Sequence, residues 1–440
     1  MDLEIRKVAS PAGRAVHRNY LLGVLLLIFA SNNVDRIALG LVLQTLKTDL
    51  QLTDVQLGLL SGLAFALFYS VMGIPIARWA DRGNRITIIS VTTALWSVAV
   101  ALCAVTTSFL QLLVIRVGAA IGEAGCVPPA HSLIADHFSR AERPRAMSRY
   151  LLGGTLAYAI GYFVAGWLNE WYGWRRMFLL LGLPGLGLAA LAAFTLRDPR
   201  RNRTPSLSSA AAEQPSIAEV CMTLWRTRAF RHLLLAFSVL SFFGFGIGNW
   251  QPAFFIRSFG LKTGELGMWM ALIWGVGGSI GTYIGGVLAA RYAAHNERLQ
   301  LRAMVAAYLC FGIIGSIVYL SGNVYVSFAL LALAAIGANT AAGPLIATIQ
   351  TLVRPRMRAM SIAILYLFAN LIGMGLGPLA VGGLSDALRP WLAEESLRYA
   401  LLAMCPGYVW AAWHLWRAGH FVASDLKAVQ AADRCVHAQS

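Results

Sequence analysis

The sequence predicts an all-α polytopic membrane protein of twelve transmembrane helices in two six-helix bundles, and three observations lead there. The first is composition: 58% of the 440 residues are hydrophobic and 13% are charged, where a soluble domain carries about 25% charge. The mean hydropathy is +0.63. The second is a series of twelve apolar runs, each long enough at about 1.5 Å per residue to cross a hydrocarbon core of about 30 Å. The third is a repeat at an offset of 213 residues. Gly73, Arg78, Trp79, Ala80 and Arg85 return as Gly286, Arg291, Tyr292, Ala293 and Arg298, and Arg145-Ala-Met-Ser148 returns as Arg358-Ala-Met-Ser361. A parallel duplication of six spans places a substrate path between the halves, near the bilayer midplane.

In chain order, residues 1–19 form a short basic lead and the first run covers 20–43. No cleavable signal peptide is visible, so the first helix is expected to insert the chain itself. Leu52-Thr53-Asp54 offers an N-cap for the second run, 54–77, which ends in a tight charged turn from Arg78 to Arg85. The third and fourth runs, 86–106 and 109–134, have almost no loop between them, and 146–168 and 174–196 complete an expected N-terminal bundle, 1–196. The Pro, Ser, Ala and Arg content of 197–230 reads as a cytoplasmic linker resting on anionic headgroups. The runs 231–256, 265–290, 302–320, 325–350, 359–384 and 397–416 make up the second bundle, which with its tail spans 231–440. Pro128-Pro129 and the stretch Gly373 to Pro378, followed by Gly382-Gly383, permit close packing and bending.

The formal charge of +16 invites a nucleic-acid reading, but its placement argues against one. Of the 36 Lys and Arg, 27 fall in the lead, the linker, the tail and the loops on their side, 7 on the opposite side and 2 inside spans. The positive-inside rule then puts both termini in the cytoplasm, here of a bacterial inner membrane. Cys103, Cys126, Cys221, Cys310, Cys405 and Cys435 lie in spans or on the cytoplasmic side, in no metal or redox spacing, and are expected to be free thiols. His131, Asp136 and His137 lack a third metal ligand, and no phosphate-binding Gly-Lys-Ser/Thr loop is present. Neither a metal nor a cofactor is expected.

Function is pointed to by charges inside apolar runs. Ser31-Asn32-Asn33-Val34-Asp35-Arg36 puts strongly polar side chains in the first run, and Arg116 and Glu123 lie seven residues apart on one face of the fourth. An intramembrane ionisable residue marks a functional site by default. Desolvation and a neighbouring arginine act oppositely on such a carboxylate, which suits a proton site, so Asp35 and Glu123 are both candidates. Asn32, Asn33, Arg36 and Arg116 are the expected substrate contacts of the first half. At the 213 offset the four charges meet Gly248, Asn249, Ala329 and Ile336. The second half is therefore expected to give shape and mild polarity through Asn249, Trp250, Asn339, Tyr366 and Asn370, and an apolar surface through Phe242, Phe243 and Phe245.

The turn from Ala77 to Ile86 resembles the signature Gly-x3-Asp-Arg-x-Gly-Arg-Arg of the major facilitator superfamily. Asp81, Arg82 and Arg85 match it, while Ala77, Asn84 and Ile86 depart from it. Asn33-Val-Asp35-Arg36, Asp81-Arg82-Gly-Asn84-Arg85 and Arg116 with Gly122-Glu123-Ala124 resemble the spinster branch. That resemblance implies a proton-linked secondary carrier of lysolipids or sphingosine phosphate, with gating roles for Asp81, Arg82 and Arg85. The expected partners are a small amphipathic substrate, protons and membrane lipids, with the chain acting as a monomer. A proton-linked organic-anion or drug carrier and a non-transporting receptor are the alternatives. An enzyme is not expected, because no nucleophile and base share a face.

Overall fold

Among the described residues of the computed structural model, ten continuous helical stretches are long and apolar enough to cross a membrane, and two are of double length. The structure describes residues 11–139, 142–199, 217–292, 296–353 and 357–438. The stretch Arg143–Thr195 breaks at Gly173, whose φ of 76° lies in the left-handed region that suits glycine. Its two parts are separate spans. The stretch Met360–Ala428 breaks at Ala393, with φ 47°, between Gly377–Leu392 and Ser396–Met404. Twelve spans result among the described residues: α1 (Pro11–Leu41), α2 (54–82), α3 (Arg85–Leu102), α4 (Phe109–His137), α5 (143–172), α6 (174–195), α7 (Arg228–Phe259), α8 (Thr263–Tyr292), α9 (Glu297–Leu320), α10 (Val324–Thr351), α11 (358–392) and α12 (396–438).

Local chemistry sets the helix ends. Thr53 and Gln56 form a reciprocal capping box at the start of α2, as the sequence led one to expect. Asn84 Oδ1 accepts the Ile86 and Thr87 N–H groups at the start of α3, and Asn296 and Asn323 cap α9 and α10 in the same way. In the first bundle α1 packs on α5 and α3 on α6, and in the second α7 and α9 pack on α12 and α8 on α10. The described linker residues include a helix, Ile217–Arg226, which buries Val220 and Leu224 against the second bundle. Residues 200–216 of the expected linker lie outside the described residues. Cys103, Cys126, Cys221, Cys310 and Cys405 are free thiols, and the Cys435 side chain lies outside the described residues.

Two π-helical turns, Leu59–Leu63 in α2 and Ala271–Gly277 in α8, occupy matching places in the two halves, close to the offset seen in the sequence. A third, Ala369–Leu376, falls in the glycine-rich part of α11. Such turns often mark functional sites. Here they lie in the helices that join the bundles.

The bundles meet through α2 with α11, α5 with α8, and α1 with α7. The first two contacts lie toward the loop end of the molecule, which carries the 42–53 connection, with its short helix Leu43–Leu50, and the 393–395 turn. Backbone approach there is close: a Cβ on Gly267 would lie 2.3 Å from the Tyr162 carbonyl oxygen, and one on Gly382 at 2.3 Å from the Asp54 carbonyl oxygen. Gly267→Ala is accordingly expected to push α8 off α5. Maleimide labelling of a cysteine placed at Tyr162, applied from the loop side, should accelerate; an unchanged rate would show that the seam relaxes around a methyl group.

On the opposite end, Arg18 donates to Glu142 at 2.7 Å and ties α1 to the turn before α5. With the Ser139 hydroxyl and N–H also donating, this holds the Glu142 carboxyl at about 2, well below the usual carboxylate range.

Candidate functional site

The site begins with the helical rotation of about 100° between neighbouring residues, which separates Asp35 from Arg36 on α1. Asp35 faces α4 and is 1% exposed, whereas Arg36 reaches the space between the bundles and keeps 27% of its side-chain surface. Arg116 and Glu123 on α4 are both buried, and each meets one of the α1 charges. Arg116 Nη1 donates to Asp35 Oδ2 at 2.5 Å. Arg36 Nε donates to Glu123 Oε2 at 2.7 Å, with Nη2 at 2.7 Å from the same oxygen. The four charges foreseen from the sequence are thus two ion pairs joining α1 to α4.

Neither pair is saturated. Asp35 Oδ1, Glu123 Oε1, Arg116 Nε and Asn32 Nδ2 are buried without a hydrogen-bond partner. Native proteins leave few such atoms, and each calls for an explanation. A free lone pair on each carboxylate can take a proton while the other oxygen keeps its arginine. Aromatic rings shield the cations: the Arg36 guanidinium lies 4.5 Å from the Phe65 centroid and 4.8 Å from that of Tyr69, and Arg116 lies 5.4 Å from Phe65. Arg36 Nη1 also comes within 3.9 Å of Met374 Sδ on α11, so the cluster reaches the second bundle.

Beside the cluster lies a half-enclosed cavity of about 560 Å³. Asn33, Arg36 and Arg116 line it from the first bundle, and Asn249, Asn339 and Asn370 from the second. Asn249 Nδ2 donates to Ser61 Oγ at 2.7 Å across the bundles, and Asn339 Nδ2 to the Ala335 carbonyl at 2.9 Å. The remaining wall is largely apolar and aromatic, with Phe237, Leu240, Phe245, Trp274, Phe311 and Leu345 among its members.

Other sequence candidates lie away from this wall. Trp250 is fully buried behind it, its Nε1 donating to the Pro378 carbonyl at 2.9 Å. Tyr366 is exposed on α11, edge-on to Phe237 at 5.9 Å. Asn32 and the proton-site candidates Asp35 and Glu123 sit behind Arg36 rather than on the cavity surface. Phe242 and Phe243 pack against the core, and of the three phenylalanines only Phe245 lines the cavity.

In the charged turn, the Asp81 side chain lies outside the described residues. Arg82 is exposed at the end of α2. Arg85 is fully buried and bonded within its own bundle: Nη2 to Asp198 Oδ1 at 2.5 Å, and Nη1 to Asp136 Oδ2 at 2.7 Å and Ser132 Oγ at 2.9 Å. It pins α3 to α4 and to the end of α6.

Sequence reasoning missed a second charged cluster at the loop end. Asp54, read only as part of a cap, accepts from Lys47 Nζ at 2.6 Å, from Arg257 Nη1 and Nη2 at 2.8 and 2.7 Å, and from Ser385 Oγ at 2.7 Å. Asp386 accepts the Asp54 and Val55 N–H groups at 3.1 and 2.8 Å. Arg257, Ser385 and Asp386 belong to the second bundle, so this cluster bolts the halves together. Its sequence signal was weak, because the charges sit at helix ends where charge is ordinary. The tyrosines that line the cavity, Tyr158, Tyr162, Tyr308, Tyr319 and Tyr408, gave no signal beyond apolar helix spacing.

Two repeated six-helix bundles around a central cavity, with charges buried at its side, define a multi-pass membrane transporter rather than an enzyme. The model of the Major Facilitator Superfamily matches residues 24–378, and the chain belongs to that superfamily, in its spinster-like branch. It superimposes on a bacterial homolog of the human lysosomal transporter spinster, crystallised inward-facing and unoccupied, with a TM-score of 0.82 at 30% identity, over 93% of this chain and 98% of that one. It is 33% identical to an MFS-type efflux pump of Mycolicibacterium smegmatis, over 87% of this chain and 88% of the pump. It is 28% identical to a probable sulfoacetate transporter of Cupriavidus necator, over 69% of this chain and 72% of that protein.

Proposed function

We propose that the protein is a proton-coupled secondary transporter of an amphipathic, lipid-like molecule of the lysolipid or sphingoid phosphate class. It works by alternating access in a bacterial inner membrane, with both termini in the cytoplasm, the side to which the basic residues are biased. The observation that carries the substrate class is the division of the cavity. One bank offers Arg36, partly open and backed by Arg116, for an anionic or zwitterionic head. The facing wall offers phenylalanine, tyrosine, leucine and tryptophan side chains for an apolar chain. Proton coupling rests on the half-satisfied carboxylates behind Arg36: a headgroup that draws Arg36 away leaves Glu123 without its counter-charge, and protonation relieves the cost. Asp81 and Arg82 remain candidates for the gate at the terminal end.

The test is a binding series of lysophospholipids of one headgroup and increasing chain length. Burying each methylene contributes about 0.8 kcal/mol, so affinity should rise roughly fourfold per methylene until the cavity is filled. Arg36→Gln should lower affinity for every member by a similar factor and leave the chain-length slope intact. The organic-anion reading, which the likeness to a probable sulfoacetate transporter favours, makes the opposite forecast. Binding indifferent to chain length, but lost with the headgroup charge, would replace the lipid reading by that one.

A further inference from the structure

A second basic cavity lies away from the central one, at the terminal end of the second bundle. Its volume is about 260 Å³ and it is lined by Arg228, Arg231, His232, Arg417 and Phe421, brought together by α7 and α12. Two guanidiniums converge on one ring there: Arg228 lies 5.6 Å from the Phe421 centroid and Arg417 at 5.5 Å. Arg231 is held at 5.7 Å over Trp225 of the linker helix, and His232 is braced by His414, with 3.1 Å between their Nδ1 atoms.

Like charges so gathered repel, and an ordinary surface answers with a carboxylate. Among the described residues none of these three arginines makes an ion pair. Asp425, a carboxylate of α12 near this end, accepts the Ala229 N–H at 2.8 Å and so caps α7 instead. Arg417 Nε is withdrawn from solvent and has no partner. The cavity is therefore short of an anion. Its depth is marked by tryptophans exposed at helical spacing on the same α12, Trp410, Trp413 and Trp416, and by Trp225 on the linker helix. Exposed tryptophans of this kind lie at the headgroup level of a bilayer.

We infer that Arg228, Arg231 and Arg417 form a binding site for a phosphate-bearing anion, separate from the transport cavity, suited to the phosphodiester of an anionic lipid headgroup. Arginine is fitted to this by its planar fork, which engages two phosphate oxygens at once. His232 adds a further donor, and the exposed faces of Trp225 and Trp413 offer an acyl chain somewhere to lie. A lipid seated here touches α7, α12 and the linker helix, and so restrains the second bundle at its junction with the linker.

The experiment uses the full chain in a neutral detergent and counts bound phosphatidylglycerol against phosphatidylcholine by native mass spectrometry. The parent should retain phosphatidylglycerol selectively, and R228Q/R417Q should lose at least about tenfold in its affinity, given the contribution of each basic residue near a lipid surface. R298Q/R302Q removes the same charge from exposed positions on the same end and should lose little. Equal losses in the two double variants would mean only the diffuse positive field of this face, and the site would be rejected. A parent with no preference for phosphatidylglycerol would reject it too. A parallel arm adds inorganic phosphate: displacement of the lipid at comparable concentration supports the same phosphate site filled from solution, whereas resistance to it supports the lipid as occupant. Should R228Q/R417Q fail to fold, R228K/R417K and R231Q replace it, the first expected to keep part of the selectivity and the second to weaken it.

Discussion

In an Asp54→Asn variant the loop end of the molecule is expected to open. Asp54 is 1% exposed and is the shared partner of Lys47 and Arg257, themselves 12% and 5% exposed. Neutralising it leaves two buried cations facing each other across the bundle seam. Removing one partner of a buried pair costs about 3 to 5 kcal/mol. The cost falls on the conformation in which the seam is closed, since separating the bundles returns both cations to water. A shift of about 3 kcal/mol changes the ratio of closed to open by roughly 150-fold in favour of open. Spin labels at the exposed positions Trp171 and Lys262, one at each side of the α5 and α8 contact, should report a longer distance. Arg257→Gln should act in the same direction more weakly, because Asp54 keeps Lys47 and Ser385. Unchanged distances in both variants would make the cluster a local brace with no hold on the seam.

The second large effect is expected at the crossed pairs. Asp35→Asn and Glu123→Gln keep the shape of each side chain and remove the charge together with the proposed proton site. Each leaves an arginine without its carboxylate, Arg116 in the first case and Arg36 in the second. Because Arg116 is 1% exposed and Arg36 27%, Asp35→Asn should cost more stability than Glu123→Gln. That difference separates structure from coupling. Both variants should still exchange substrate across a membrane, and neither should accumulate it against a gradient when a pH difference is imposed. Accumulation like that of the parent in both would mean that the proton passes elsewhere.

Much of this could be read from the chain because membranes penalise polarity so heavily. The twelve spans announce themselves by length and apolarity, and most of the described helices begin and end within a few residues of the apolar runs; α1 starts well before its run, at Pro11, α11 continues past its run to Leu392, and α12 continues to Ala438. Asp35, Arg36, Arg116 and Glu123 stood out because charge inside a span requires a reason. Which partner each would take was not legible, since that depends on how α1 is rotated against α4. Arg85 matched a gating signature, but the buried Asp198 and exposed Asp136 that hold it lie far off in sequence. Trp250 looked like a ligand contact by type alone, and tertiary packing placed it behind the wall. Asp54 shows the converse: at a helix start a carboxylate is unremarkable until Arg257 arrives from the other half.

The central claim is that substrate and proton move together through the pairs at the side of the cavity. The most direct measurement places the protein in vesicles that enclose a pH-sensitive dye and follows the lumenal pH when a lysophospholipid is added under an outward substrate gradient or an inward one. The account predicts a substrate-dependent change in lumenal pH, reversing with the gradient and abolished in Asp35→Asn and Glu123→Gln. Substrate movement without any proton movement, or proton movement of full size in both variants, would contradict it.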